Sequence, residues 1–229
     1  MSSPDRPVPV PQPAVPQVVV RGEATLLVDP EIADVDVTVR VRARDRQTAL
    51  ERCTARQDDV VAMVAAAGDA VEVVETAGVS VHLEVRDRRA PGEPVATVHT
   101  RLTLGRLDAV GELVVALGRL DDVDVSGPNW RLRPDSPALA QARLDAVRDA
   151  VSRARQYAAA FGAELTALLE VSDAGLSAGG FRVAAAAAGM APFGDDELRL
   201  DVAPARQEVH GVVEVRFAMS APDREVFRT

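Results

Sequence analysis

The chain has 229 residues, of which 47% are hydrophobic and only 3% aromatic, with a formal net charge of −9. That length fits one large domain or two closely packed lobes, and the apolar fraction is too high for a generally disordered chain. The acidic balance disfavours non-specific binding to nucleic acid or anionic lipid. Every cation is Arg and none is Lys, as codon usage in a GC-rich genome would give.

Met1–Pro16 is rich in proline and reads as a flexible, partly polyproline-like arm. It lacks a basic start and a continuous apolar run, so neither a signal peptide nor a membrane span is expected, and the protein is expected in the cytoplasm. From Gln17 the pattern changes. Val18–Val28 is β-branched and apolar, and Asp29-Pro30 breaks it. Ile32–Val41 alternates, with Val35, Val37, Val39 and Val41 on one parity and Asp34, Asp36, Thr38 and Arg40 on the other, as a half-buried strand does.

Asp45 can cap the next element, a helix in which Leu50, Cys53, Gln57, Val60 or Val61, and Val64 recur at spacings of three and four. It ends near Gly68. Val71–Thr76, Val79–Arg86 and Val95–Leu104 read as three strands, the last two joined across Arg89–Pro94. A second helix, Leu107–Leu117, precedes strand Val123–Leu132. The longest helix starts at Asp135 or Ser136 with Pro137 in its first turn. Its expected apolar stripe is Ala140, Leu144, Val147, Val151, Ala154, Ala158 and Phe161, which is expected to pack on the sheet. Leu165–Ser172 and Val209–Met219 are the last strands. The expected fold is α+β in the order ββαβββαβαββ, a mixed, largely antiparallel sheet with helices packed on one face. The domain runs over 17–220, with a tail at 221–229.

Between the last two strands, Asp173–Arg206 loses periodicity yet stays apolar, with Phe181, Val183, an alanine run, Met190 and Phe193. A segment of that length without a repeat is usually functional or disordered, and its apolarity points to self-assembly. Phe181, Val183, Met190 and Phe193 are the candidate oligomerisation residues.

Chemistry has few carriers. The single Cys53 falls on a helix stripe, as a buried structural thiol would. His82, with Ser80 and Glu84, His99, with Thr97, Arg101 and Thr103, and His210, with Glu214 and Arg216, all sit on the polar parity of their strands. His82 and His99 can be cross-strand neighbours, and with Glu84 they would meet zinc's ligand chemistry, but no metal-site signature is present. No nucleophile elbow occurs. Gly175–Gly180 lacks the Lys-Ser/Thr of a phosphate loop. Acidic runs such as Asp121, Asp122 and Asp124 read as solvated turns. No cofactor is expected.

Several pieces in order carry a resemblance. They are the opening strand with Val20-Arg-Gly-Glu-Ala24, then Asp29-Pro-Glu-Ile-Ala-Asp-Val35, the helix with Thr48-Ala-Leu50, the alanine-rich helix Ala138–Gly162, the strand Ala167–Val171, the irregular Gly/Ala/Met/Pro segment and the final Val-rich strand. Over roughly Val18 to Ser220 the chain resembles the SIMPL-domain family. That resemblance implies a fold more than an activity, with links to stress resistance and to ring-like oligomers. Its members are often periplasmic, and the chain departs from them in its N-terminal stretch. It departs also at Val81–Val85 and Val95–His99, where aromatic residues are common in the family. The expected function is a non-enzymatic, self-assembling scaffold or interaction protein, a homo-oligomer with a possible protein partner. The alternative is a small-ligand or metal-binding protein or enzyme using the polar sheet face around His82, His99 and His210.

Overall fold

The computed structural model describes residues 15–85, 92–173, 200 and 202–227. Its elements are β1 (Gln17–Val28), β2 (Ile32–Arg42), α1 (Arg46–Ala66), β3 (Val71–Glu84), β4 (Glu93–Leu104), α2 (Val110–Gly118), β5 (Val123–Arg131), α3 (Pro137–Ala160), β6 (Leu165–Asp173) and β7 (Gln207–Met219). The α+β class holds. Two details differ from the expected order. The strands form two antiparallel sheets, β1-β7-β6 and β3-β4-β2-β5, rather than one. The strands expected at Val71–Thr76 and Val79–Arg86 are one strand, β3, irregular between Thr76 and Gly78. One extra residue, Ala77, is absorbed there as a bulge, so a break in alternation is not an end of pairing. The chain divides into two compact units, one of residues 1–26, 137–183 and 209–229, the other of 27–136 and 184–208.

The larger unit is a four-stranded sheet with α1 and α2 on one face. Alternation in β2 sends Val35, Val37, Val39 and Val41 into its core, where they meet Leu102, Leu104, Val60, Val110 and Leu117, all essentially inaccessible. Near 25 cal/mol per Å² of apolar surface removed from water, this burial is the principal favourable term for the unit. The opposite parity of β2 carries Asp34, Asp36, Thr38 and Arg40, as the alternation requires.

Helix α1 begins as the sequence suggests. Asp45 is extended at φ −142°, and its carboxylate accepts from the Thr48 amide at 2.8 Å and the Thr48 hydroxyl at 2.9 Å. Those bonds, the amide first, hold its carboxyl below the ordinary 3.8. The folded value is therefore the depressed one. The stabilisation is complete above pH 3.8 and is lost as pH falls through the lower folded value. Asp45→Ala is expected to lower the Tm at pH 7, and the deficit against the parent chain should shrink on acidification below pH 3.8. Thermal melts across that range check this, and a deficit that does not change with pH would contradict it.

The smaller unit is the three-stranded sheet with α3 on one face. The stripe expected for α3 coincides with the buried one only at Ala154 and Ala158. Ala142, Ala146, Ala150, Ala154 and Ala158 are buried, whereas Leu144, Val147 and Phe161 are exposed at 54%, 40% and 38%. The reason is a very close approach of backbones. A Cβ on Gly22 in β1 would overlap the Ala146 carbonyl and lie 2.6 Å from the Ala150 nitrogen. One on Gly211 in β7 would overlap the Ala142 carbonyl. Only alanine, repeating every four residues along one face, lets the helix lie that near the strands. Val20, Val213, Val215 and Phe217 complete the core. Asp149 of α3 accepts from the Glu23 amide at 2.9 Å, and that bond, ahead of Arg153, holds its carboxyl low.

Candidate functional site

Two surfaces stand out, and the first carries the polar residues that the sequence singles out. The first is the polar face of the four-stranded sheet. Its charges are largely paired: Arg131 meets Asp34 at 2.7 Å, Arg101 meets Asp36 at 2.9 Å, and Arg40 meets Glu84 at 2.8 Å, with Arg42 also on Glu84. Asp34, only 8% exposed, accepts a further bond from the Thr103 hydroxyl at 2.9 Å. A cross-strand ladder of this kind fixes register and leaves little free charge for a ligand.

The histidines do not come together there. His99 stands opposite Gly78 of β3 and Thr38 of β2, and its Nδ1 bonds Thr38 Oγ1 at 3.0 Å. His82 stands opposite Val95. Register thus separates the two by four residues along β3, about 13 Å at roughly 3.3 Å per residue. The expected pairing as cross-strand neighbours is corrected by this register. His210 belongs to the other sheet, on β7, where its Nδ1 lies 3.0 Å from Thr25 Oγ1. Among the described residues no group of three or more His, Cys, Asp or Glu could hold a metal ion. Cys53 is 2% exposed within the α1 contact to the sheet, and burial, followed by the Asp122 charge, raises its thiol above the ordinary 9.0. Asp122 itself sits in a turn and takes an ion pair from Arg52 at 3.2 Å. The candidate oligomerisation residues Phe181, Val183, Met190 and Phe193 lie outside the described residues.

The second surface was not singled out from the sequence. A helix is about 10 Å wide with its side chains and strands lie about 4.8 Å apart, so one helix covers little more than two strands. The close contacts of α3 at Gly22 and Gly211 put it over β1 and β7, and among the described residues β6 is left largely uncovered. Leu168 pairs with Phe217, and Val171 pairs with Val215. They therefore share the face on which α3 packs, yet they are 59% and 56% exposed. Leu169 is also exposed. Between α3 and β6 runs an open groove of about 490 Å3, walled by Val151, Ala158, Leu165, Leu168 and Phe217 and bordered by Arg155 and Glu164. β6 is an edge strand, and among the described residues nothing pairs with its outer side. An apolar edge of that kind is normally blunted by charge, twist or cover. The adjacent Leu168-Leu169 breaks strict alternation in the sequence, because Leu169 falls at the register shift between Leu168 and Glu170.

A family model, SIMPL, described as a protein of unknown function (DUF541), matches residues 18–217. No curated protein matches the chain significantly. The match spans most of the sequence, and the chain belongs to the SIMPL family.

Proposed function

We propose that this member of the SIMPL family is a non-enzymatic interaction protein that works as a homo-oligomer, and that the uncovered face of β6 is where its copies meet. The observation that carries the reading is the exposure of Leu168 and Val171 on the helix-side face of an edge strand whose outer side pairs with no described residue. Side chains of this size gain about 1.5–3 kcal/mol each on full burial. Apolar patches of this kind on a folded domain mark interaction surfaces. The apolar residues Phe181, Val183, Met190 and Phe193 follow β6 directly in the chain and would extend such a contact. A place in stress physiology rests on the family resemblance alone. The alternative of a ligand or metal site at His82, His99 and His210 draws no support from the register that separates the first two.

Native mass measurement of the full chain tests the proposal. A defined multiple of 24.2 kDa is expected, and Leu168→Asp is expected to shift the population toward the monomer while the far-ultraviolet circular dichroism stays unchanged. A parent chain that stays monomeric at micromolar concentration would refute self-assembly.

A further inference from the structure

The groove between α3 and β6 has a charge pattern that its apolar walls do not explain. Arg155 borders it from α3, and Glu164 from the residue just before β6. Neither the guanidinium nor the carboxylate has an ion-pair partner among the described residues. Most other arginines do: Arg148 is bonded to Asp145, Arg153 to Asp149 and Arg216 to Glu170. Two opposite charges therefore flank one apolar groove without pairing to each other. The Glu164 backbone is fixed on both sides of this point, since its amide donates to the Ser220 hydroxyl oxygen at 3.0 Å and its carbonyl accepts from the Ser220 amide at 2.9 Å.

A surface carrying one unpaired cation and one unpaired anion beside an apolar strip is complementary to itself under a two-fold rotation. In a two-fold interface residue i of one copy meets residue j of the other, and j meets i. We infer that the groove is a two-fold interface between copies of this chain, in which Arg155 of each copy pairs with Glu164 of the other across the packed strips of Leu168 and Val171. The occupant is a second copy. An anionic amphiphile would find its cation in Arg155 but would set its charge against Glu164. A neutral partner would leave both charges desolvated and unpaired, which disfavours it. The net charge of −9 opposes association of like copies, and two crossed ion pairs at the contact offset part of that repulsion locally. This inference rests on the proposed self-assembly and specifies its geometry.

Charge reversal with rescue in trans tests it. Arg155→Glu alone places four carboxylates around the contact, and Glu164→Arg alone places four guanidinium groups there. Each is expected to weaken association by about tenfold or more, from two lost pairs and two new repulsions. Mixing the two variants restores opposite charges at both crossings. The mixture is expected to associate as the parent does, with equal amounts of each variant by native mass. Pairing within one copy could not be rescued by mixing. The parent assembly is also expected to hold an even number of copies. Circular dichroism of each single variant keeps loss of folding apart from loss of contact. If the parent is a multimer and both single variants keep its mass, or the mixture fails to recover it, this interface is wrong while self-assembly stands. A monomeric parent removes both.

Discussion

Gly22→Val is expected to unfold the three-stranded unit or to lower its stability by about 3 kcal/mol or more, beyond the usual range of overpacking. The cost comes from backbone and not from a side chain that can turn aside. A Cβ at Gly22 would overlap the Ala146 carbonyl and stand 2.7 Å from the Ala150 Cβ. Relief requires α3 to lift off β1. That would stretch the Asp149 bond to the Glu23 amide and open space under every alanine of the buried stripe. Gly118→Ala provides the contrast, because a Cβ there meets nothing within 4 Å. It is expected to be neutral or slightly stabilising, as a glycine replaced at a compatible position usually is. Thermal melts of both variants check the pair, and a Gly22→Val protein that melts with the parent would refute the close approach.

Leu102→Ala should have the comparable effect on the four-stranded unit. Leu102 lies on β4 opposite Val35 and Val74, is 0% exposed, and belongs to the cluster shared with Val37, Leu104 and Val110. Removing three carbons from such a site loses their transfer free energy and leaves a cavity, together about 3 kcal/mol. For a chain of this length that corresponds to a fall in Tm of roughly 10 °C. Val79→Ala, on β3 of the same sheet but 66% exposed, is expected to change stability by less than about 0.5 kcal/mol. Denaturant titration separates the two. Equal losses would mean that the core is not where β2 and β4 place it.

The strands and helices that alternate cleanly were readable without coordinates. Val35–Val41 fixes the buried parity of β2 by itself, and Asp45 marks the start of α1 because its carboxylate answers the Thr48 amide. What was not readable depends on partners far away in the chain. In α3 the 4-3 spacing of Leu144, Val147 and Val151 carries more hydrophobicity than the alanines at 142, 146 and 150. Size, not hydrophobicity, decides which face lies on the sheet, and it does so because Gly22 and Gly211 are on the strands beneath. Neither glycine announces itself from within its own segment. The bulge at Ala77 hid the unity of β3 in the same way, since pairing with Thr100 and His99 carries the strand through it. The face of β6 escaped notice because a helix must first be placed before a strand can be found beyond its edge.

The bond from the Glu23 amide to the Asp149 carboxylate joins α3 to β1 at one point. It holds a single amide of a twelve-residue strand, so it does not close the edge of the sheet. In mechanical terms it is a rivet: it resists sliding of α3 along β1, and with the close seat at Gly22 it fixes the helix in both position and height.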